Sequence, residues 1–302
     1  MAGRLHSLDV VFTTLNEEIN LPHTLPAALE VADRVVVVDS GSTDDTKGVV
    51  EASGAEFVHQ DWLGYAAQKN WAIDELGLTG DWTLIVDADE KIMPDLAAFL
   101  GELRSRPIDE VPESAFQINR YFIFLTKQIR HCGYYPSWNI RLFKRGRARY
   151  EQRDVHEHMV VDGATGYAPG HLEHYDRRGL TYWNFKHNQY AVAEAIEAYR
   201  VMQHASRAEN KEARLFGDHA QRVRWIKTRL YPSLPGKSFA RFLYAYVLRL
   251  GFMDGLVGVR FCLFLAAYEL MIDLNLRELR LGVHPRQAEV EATSVPEREA
   301  AS

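Results

Sequence analysis

The sequence predicts an α/β protein: a mostly parallel sheet with flanking helices, extended by a C-terminal amphipathic helical region. Short runs rich in β-branched residues, such as Arg34-Val35-Val36-Val37-Val38, alternate with helix-length segments through the first part of the chain. Alternating βα units of this length imply parallel strands with helices packed on both faces. Further on the composition shifts. From Gln221 to Leu250 there is no Asp or Glu, while Arg222, Arg224, Lys227, Arg229, Lys237, Arg241 and Arg249 all fall within it.

A length of 302 residues with 47% hydrophobic content is enough to bury a substantial core, as one large domain or one domain with an appendage. The expected division is a catalytic domain over 1–205, a basic amphipathic region over 206–286, and a disordered tail over 287–302, where Ala, Glu and Pro296 predominate. A net charge of −6 argues against a nucleic-acid partner. Cys132 and Cys262 are far apart in sequence and match neither a disulfide framework nor a metal-type spacing, which suits a reducing compartment. Met1 to Leu8 carries no apolar stretch of the secretory kind, so the expected location is the cytoplasm.

Taken in order, Leu8 to Thr13 is a β-rich run, followed by the polar loop Thr14-Leu15-Asn16-Glu17-Glu18 and a helix to Leu29 with Pro22 near its start. Arg34 to Val38 is a second, buried strand. It ends in Asp39-Ser40-Gly41-Ser42-Thr43-Asp44-Asp45-Thr46, a glycine turn with small hydroxyls and an N-cap for a helix to Ser53. Ala55 to Val58 reads as the third strand, Gly64 to Leu76 as a helix, and Trp82 to Val86 as the fourth strand. A helix from Pro94 to Leu103 and strands over Ala115 to Phe124 and Asn139 to Lys144 follow. Leu180 to about Asn210 is a long packing helix, with Trp183, His187, Tyr190, Ala191, Ala195 and Tyr199 at helical spacing.

The fourth strand ends abruptly in Asp87-Ala88-Asp89-Glu90. Side chains alternate along an extended chain, so Asp87 and Asp89 can project to one side at the carboxyl end of the strand, where open α/β sheets bind ligands. Two converging carboxylates repel unless a donor or a hard cation sits between them, and a divalent ion, Mg2+ or Mn2+, that also grips phosphates suits the place. Neither a Gly-x-Gly-x-x-Gly turn nor a Gly-Lys-Ser/Thr end follows the first strand, which excludes the dinucleotide-binding and P-loop designs. A triphosphate-binding nucleotidyltransferase would want a basic, glycine-rich loop there, and this loop is acidic.

These residues resemble the family 2 inverting glycosyltransferases of the GT-A fold, a Rossmann-like arrangement. The resemblance rests on Thr13-Thr14-Leu15-Asn16-Glu17-Glu18, Val38-Asp39-Ser40-Gly41-Ser42-Thr43-Asp44, the helix bearing Gln68-Lys69-Asn70, and Asp87-Ala88-Asp89. It implies that Thr13, Asn16, Glu17 and Asp39, with Ser42, hold the nucleotide base and ribose. It further implies that Lys69 lies near the nucleotide or diphosphate, Asp87 near the ribose, and Asp89 on the metal. Thr13 and Ser42 also suit helix caps, and Lys69 a solvated helix face.

A turn-rich segment with Lys127, Arg130, His131, Gly133, Tyr134, Tyr135 and Trp138 suits a shelf for an acceptor sugar, since aromatic faces pack on sugar rings and cations meet phosphates; it equally suits an aromatic core edge. A second chemical cluster, Arg153-Asp154-Val155-His156-Glu157-His158, is followed by His171-Leu172-Glu173-His174. Inverting transfer needs a base that takes the acceptor's proton. The resemblance assigns that role to Glu157, with Asp154 as the alternative, although Val-His-Glu replaces the common Glu-Asp arrangement. His156 would complete the metal shell or orient the base. The histidines match no zinc-hydrolase spacing.

In the basic stretch, Trp225, Leu230, Tyr231, Phe239, Phe242, Leu243, Tyr244, Tyr246 and Leu248 interleave with the cations, a mixture expected of a surface lying on anionic lipid headgroups. Phe252 to Leu274 is more apolar, yet Asp254, Arg260, Glu269 and Asp273 interrupt it, which favours an interfacial or re-entrant amphipathic pair over a span. The wording of Gly64-Tyr65-Ala66-Ala67-Gln68-Lys69-Asn70, Val155-His156-Glu157 and Gly251-Phe252-Met253-Asp254-Gly255 is similar to bacterial lipopolysaccharide core β-1,4-glucosyltransferases. That resemblance implies a UDP-sugar donor, glucose by preference, a lipid-linked saccharide acceptor, and an enzyme peripheral on the inner face of the cell membrane. Two alternatives stay open: transfer to a soluble protein or peptide, and a membrane-bound nucleotide-sugar-binding protein without catalysis.

Overall fold

The computed structural model describes residues 6–151, 158–207 and 236–282. The chain divides into two compact units, residues 1–130 with 134–178, and residues 131–133 with 179–302.

The first unit is built on one large sheet. Its opening half follows from the βα repeat: β1 (Leu8–Thr14), α1 (Leu21–Val31), β2 (Arg34–Asp39), α2 (Thr46–Ser53), β3 (Glu56–His59), α3 (Tyr65–Glu75) and β4 (Trp82–Asp87). The strands of this half lie parallel in the order β3-β2-β1-β4. Alternation along β1 sends Val10 and Phe12 into one core, with Leu21 and Leu25 of α1, and Val11 into the other, with Ala66 and Ala72 of α3. Each large side chain buried this way, Phe12 and Trp82 among them, contributes roughly 1.5–3 kcal/mol.

The second half is β5 (Glu90–Ile92), α4 (Pro94–Ser105), β6 (Glu113–Phe124), β7 (Lys127–Ile129), β8 (Ser137–Lys144), β9 (Ala148–Tyr150), β10 (Met159–Val161) and β11 (Ala164–His174). The sheet continues β4-β8-β6-β11-β5, with β7 on β6, while β9 and β10 form a separate pair. Here β4–β8, β6–β8, β6–β7 and β5–β11 are antiparallel, and β6–β11 is parallel.

Sequence pattern misses β11, because Gly166, Pro169 and Gly170 interrupt its alternation and the register against β6 shifts between Tyr167 and His171. Gly170 sits at φ 144°, and a Cβ there would lie 2.5 Å from the Leu96 Cα. The glycine therefore serves close approach of β11 to α4 rather than a turn.

The second unit contains α5 (Gly179–Arg207), α6 (Lys237–Leu243) and α7 (Gly255–Leu281), with a π-helical segment Tyr244–Leu248 and a 3-10 turn Gly251–Asp254 between the last two. Trp183 of α5 meets Phe264 of α7 with ring centroids 4.0 Å apart, and the Tyr268 hydroxyl donates to Glu194 Oε1 at 2.8 Å. The helix read from sequence as the end of the catalytic domain thus groups with the C-terminal residues.

The expected amphipathic pair over Phe252 to Leu274 is instead one 3-10 turn running into a single continuous helix. The residues that looked like breaks have other uses. Asp254 is buried and accepts the His131 backbone N–H at 2.9 Å. Gly258 lies so near the Gly251 carbonyl that a Cβ would stand 2.1 Å from it. By length and composition alone, Gly251–Leu281 is long and apolar enough to cross a membrane. Cys132 and Cys262, distant in sequence, lie with their sulfurs 3.4 Å apart as free, buried thiols, and burial pushes the Cys132 thiol well up, as expected of packing residues.

Candidate active site

The carboxyl ends of β2, β1 and β4 stand side by side, with Asp39 opposite Thr14 and Asp87 opposite Thr13 in register. Asp39 is buried. Its Oδ2 accepts the backbone N–H groups of Gly41 at 2.9 Å and Ser42 at 2.8 Å, and its Oδ1 accepts the hydroxyls of Thr14 at 3.2 Å and of Ser42. Gly41, at φ 98°, makes the turn that aims those amides back at the carboxylate. The hydroxyl that meets Asp39 from β1 is therefore Thr14; Thr13 lies on the opposite face of the strand.

The loop after β1 is laced to the loop after β2. Asn16, held at φ 53°, donates its backbone N–H to Ser42 Oγ at 2.7 Å, and its Oδ1 accepts from the Thr43 N–H at 2.8 Å. Glu17 N–H donates to Thr46 Oγ1 at 2.8 Å, the Glu18 N–H donates to Asp44 Oδ2 at 3.0 Å, and Glu18 Oε2 accepts the Asp45 N–H at 2.8 Å. Asn16 and Ser42 thus shape the loops, and a ligand would meet a wall already set by these bonds.

Of the Gln68-Lys69-Asn70 run on α3, two members are structural. Gln68 donates to the Gln60 carbonyl at 3.1 Å, and Asn70 holds both the N–H and the C=O of Tyr150, each at 2.9 Å. Lys69, 7% exposed, places its Nζ 3.1 Å from Asp87 Oδ1 and 5.4 Å from the centre of the Tyr150 ring.

Asp87 is held from the other side by Arg141 of β8, whose Nη2 lies 2.6 Å from Oδ2. The same Nη2 is 2.9 Å from Glu90 Oε1, which Arg120 of β6 also reaches at 3.0 Å. The other Glu90 oxygen accepts the Asp87 backbone N–H at 3.1 Å, closing the turn after β4. Burial pushes the Asp87 carboxyl up, but Arg141 and then Lys69 outweigh it and hold it well below the usual carboxylate range. Burial acts against the Arg141 charge, and Asp87 and Glu90 more than restore it.

The strand ends at Asp87, and Ala88-Asp89 form a turn, so strand alternation does not extend to Asp89 as the sequence suggested. Asp89 has its own partner: its Oδ2 lies 3.1 Å from His174 Nε2 at the end of β11, where His174 stands opposite Glu90 in register.

Beyond His174 a buried polar network returns to the first loop. Arg178 pairs with Glu17 at 3.0 Å and with Asp176 at 2.8 Å, while Asn20 donates to Glu17 at 2.8 Å and to Asp176 at 3.2 Å. Burial raises the Asp176 carboxyl and Arg178 brings it down to a net lowered value. Glu17 is therefore a partner of Arg178, a pairing that sequence separation hides.

In the aromatic and basic segment leading into β8, Tyr135 and Trp138 both meet side chains of β11. Tyr135 hydroxyl is 3.1 Å from His171 Nε2, Trp138 packs edge-on to Tyr167 at 4.9 Å, and His131 belongs to the second unit. Asp154, His156 and Glu157 lie outside the described residues. Among the described residues no group of three or more His, Cys, Asp or Glu is placed to hold a metal ion.

Sequence reasoning missed Glu90, Arg120, Arg141, His174, Asp176 and Arg178. Glu90 adjoined a recognised motif, and His174 closed the second cluster without being given a role. The others come from strands and loops distant in sequence, and nothing local marks a strand arginine as buried.

The chain is 32% identical over 200 residues to the lipopolysaccharide core biosynthesis glycosyltransferase LpsC of Rhizobium meliloti, covering 62% of this chain and 70% of that one. It is 41% identical over 83 residues to an uncharacterised glycosyltransferase of Rickettsia conorii, 28% of this chain and 29% of that one. Glucosyl-3-phosphoglycerate synthase from Mycobacterium tuberculosis, crystallised with Mn2+, uridine diphosphate and phosphoglyceric acid, aligns with a TM-score of 0.38 at 17% identity over 57% of this chain and 72% of that one. The description Glycosyl transferase family 2 matches residues 9–175, more than half of the chain, which therefore belongs to that family of glycosyltransferases.

Proposed function

We propose that the chain is an inverting enzyme that moves a sugar, glucose by its resemblance to lipopolysaccharide core glucosyltransferases, from a uridine diphosphate sugar to a lipid-linked saccharide such as a lipopolysaccharide core. The observation that carries this reading is the pairing of two sites at the ends of β2 and β4, on either side of β1. One is the amide-lined carboxylate Asp39, beside the interlaced loops carrying Asn16, Glu17 and Ser42, with Thr13 on the adjoining strand β1. The other is the cation-rich cluster at Asp87. A carboxylate next to small hydroxyls suits a base and ribose, and cations at a strand end suit a diphosphate.

In this reading Lys69 offsets charge developing on the departing diphosphate, while Asp87 meets the ribose. Glu157, with Asp154 as the alternative, takes the proton from the acceptor hydroxyl as it attacks the anomeric carbon from the side opposite the diphosphate. Asp89 offers a carboxylate beside the His174 imidazole, a donor set that fits a hard cation taking its other ligands from diphosphate and water. His156 is a further candidate for it. When bound, Mg2+ or Mn2+ would supply charge neutralisation at the diphosphate.

Residues 1–205 are proposed to carry the chemistry and 206–286 to rest on the anionic inner face of the cell membrane. Supporting this, Leu248 is 72% and Leu256 74% exposed, with Phe239, Phe252 and Met253 exposed near them in sequence. From Gly236 to Tyr268 the one acidic residue is Asp254, which is buried and paired with His131. Exposed apolar residues with cations and no open carboxylate suit an anionic lipid surface.

The test is a panel of nucleotide sugars with extracted lipid acceptors, with or without Mn2+, reading released nucleotide. Release of uridine diphosphate that needs both metal and lipid is expected. No release from any donor would overturn the enzyme reading. Equal release with a soluble peptide, or with residues 221–274 deleted, would overturn the lipid part.

A further inference from the structure

We infer that Arg141 is a positioning residue for donor binding: it holds Asp87 so that Lys69 can leave that carboxylate and turn to the donor's diphosphate. This rests on the proposed role of Lys69 and asks what lets that role be exercised. Lys69 meets Asp87 through one contact, Nζ to Oδ1 at 3.1 Å. Arg141 meets both oxygens, at 2.6 and 3.4 Å, and is itself fixed by Glu90 at 2.9 Å. Glu90 is fully buried and Arg141 is 7% exposed, whereas the Asp87 side chain keeps 34% of its surface open.

The fixed and movable halves of this clamp follow from the chemistry of the two cations. A guanidinium bound two ways to one carboxylate and anchored by a second is geometrically pinned. An ammonium on a flexible stem is a point charge that can exchange one oxygen for another. A partly buried carboxylate stripped of its cations is costly, so Lys69 could not leave Asp87 unless another cation stayed. Arg141 stays. Arg120 in turn keeps Glu90 compensated at 3.0 Å, so Arg141 is not drawn away from Asp87. Nothing in the local sequence of β8 marks this arginine.

The experiment is a double-variant cycle read as uridine diphosphate affinity by calorimetry in Mn2+, with thermal unfolding recorded for each protein. Lys69→Met should weaken binding on the order of tenfold, and Arg141→Met should weaken it similarly. The double variant should bind about as weakly as either alone, not on the order of a hundredfold more weakly, because both changes remove one event. If Arg141→Met does not fold, the same cycle with Arg141→Lys applies, which keeps the charge and loses the two-point grip. Additive losses, or an Arg141→Met protein that binds like the wild type, overturn the inference. Wild-type protein that binds no uridine diphosphate, or a Lys69→Met change without effect, instead overturns the reading beneath it.

Discussion

Replacing Asn70 by Ala tests whether the α3 motif works through the backbone it holds. Asn70 is 5% exposed and bonds the N–H and the C=O of Tyr150, itself 6% exposed, at 2.9 Å each. Removing the amide takes a partner from two buried backbone groups, and each such group costs about 1–3 kcal/mol. With a total near 4 kcal/mol and roughly 2–4 °C per kcal/mol for a domain of this size, the unfolding midpoint of the first unit should fall by about 8–16 °C. Asn70→Asp keeps the acceptor for the Tyr150 N–H and loses the donor to its carbonyl, so about half that fall is expected. Tyr150 ends β9 just before residues 152–157, which include Asp154 and Glu157. Turnover should therefore drop more than donor affinity does. Thermal unfolding by circular dichroism, with calorimetric titration of uridine diphosphate, measures both. An Asn70→Ala protein melting within about 1 °C of the wild type would refute the reasoning.

Four further outcomes are expected. Gly170→Ala should destabilise the first unit by about 1–3 kcal/mol in urea unfolding, since the new Cβ would stand 2.5 Å from backbone of α4; an unchanged midpoint would show that the helix gives way freely. The Asp87 carboxyl is lower in the folded chain than in the unfolded one, so its stabilisation is complete above about pH 4 and is lost as pH falls through the folded value. Melting curves of the wild type should thus fall more steeply below about pH 4 than those of Asp87→Asn, and parallel curves would contradict this. Glu157→Gln should keep uridine diphosphate affinity while losing transfer, and Asp89→Ala should lose at least about a hundredfold in turnover; normal transfer by Glu157→Gln would remove it as the base.

The opening half of the sheet was legible because its information is local. Val35 to Val38 and Leu84 to Val86 are apolar on consecutive residues, as strands covered on both faces must be, and Asp39 and Asp87 stand where those runs stop. The glycine turn at Gly41 and the carboxylate it serves are two residues apart, so pattern alone couples them. β11 was hidden by the glycines and proline that let it bulge and approach α4. Its His174 therefore stayed a plain histidine until the strand put it beside Asp89. Residue type and order determined the family, the polar loops after the first two strands and the acidic strand end. Only the tertiary structure decided that Lys69 and Arg141 share Asp87, that Glu90 anchors Arg141, and that Glu17 faces Arg178. These are contacts between charges brought together from distant segments, and a buried ion pair leaves no periodic trace in the sequence of either partner.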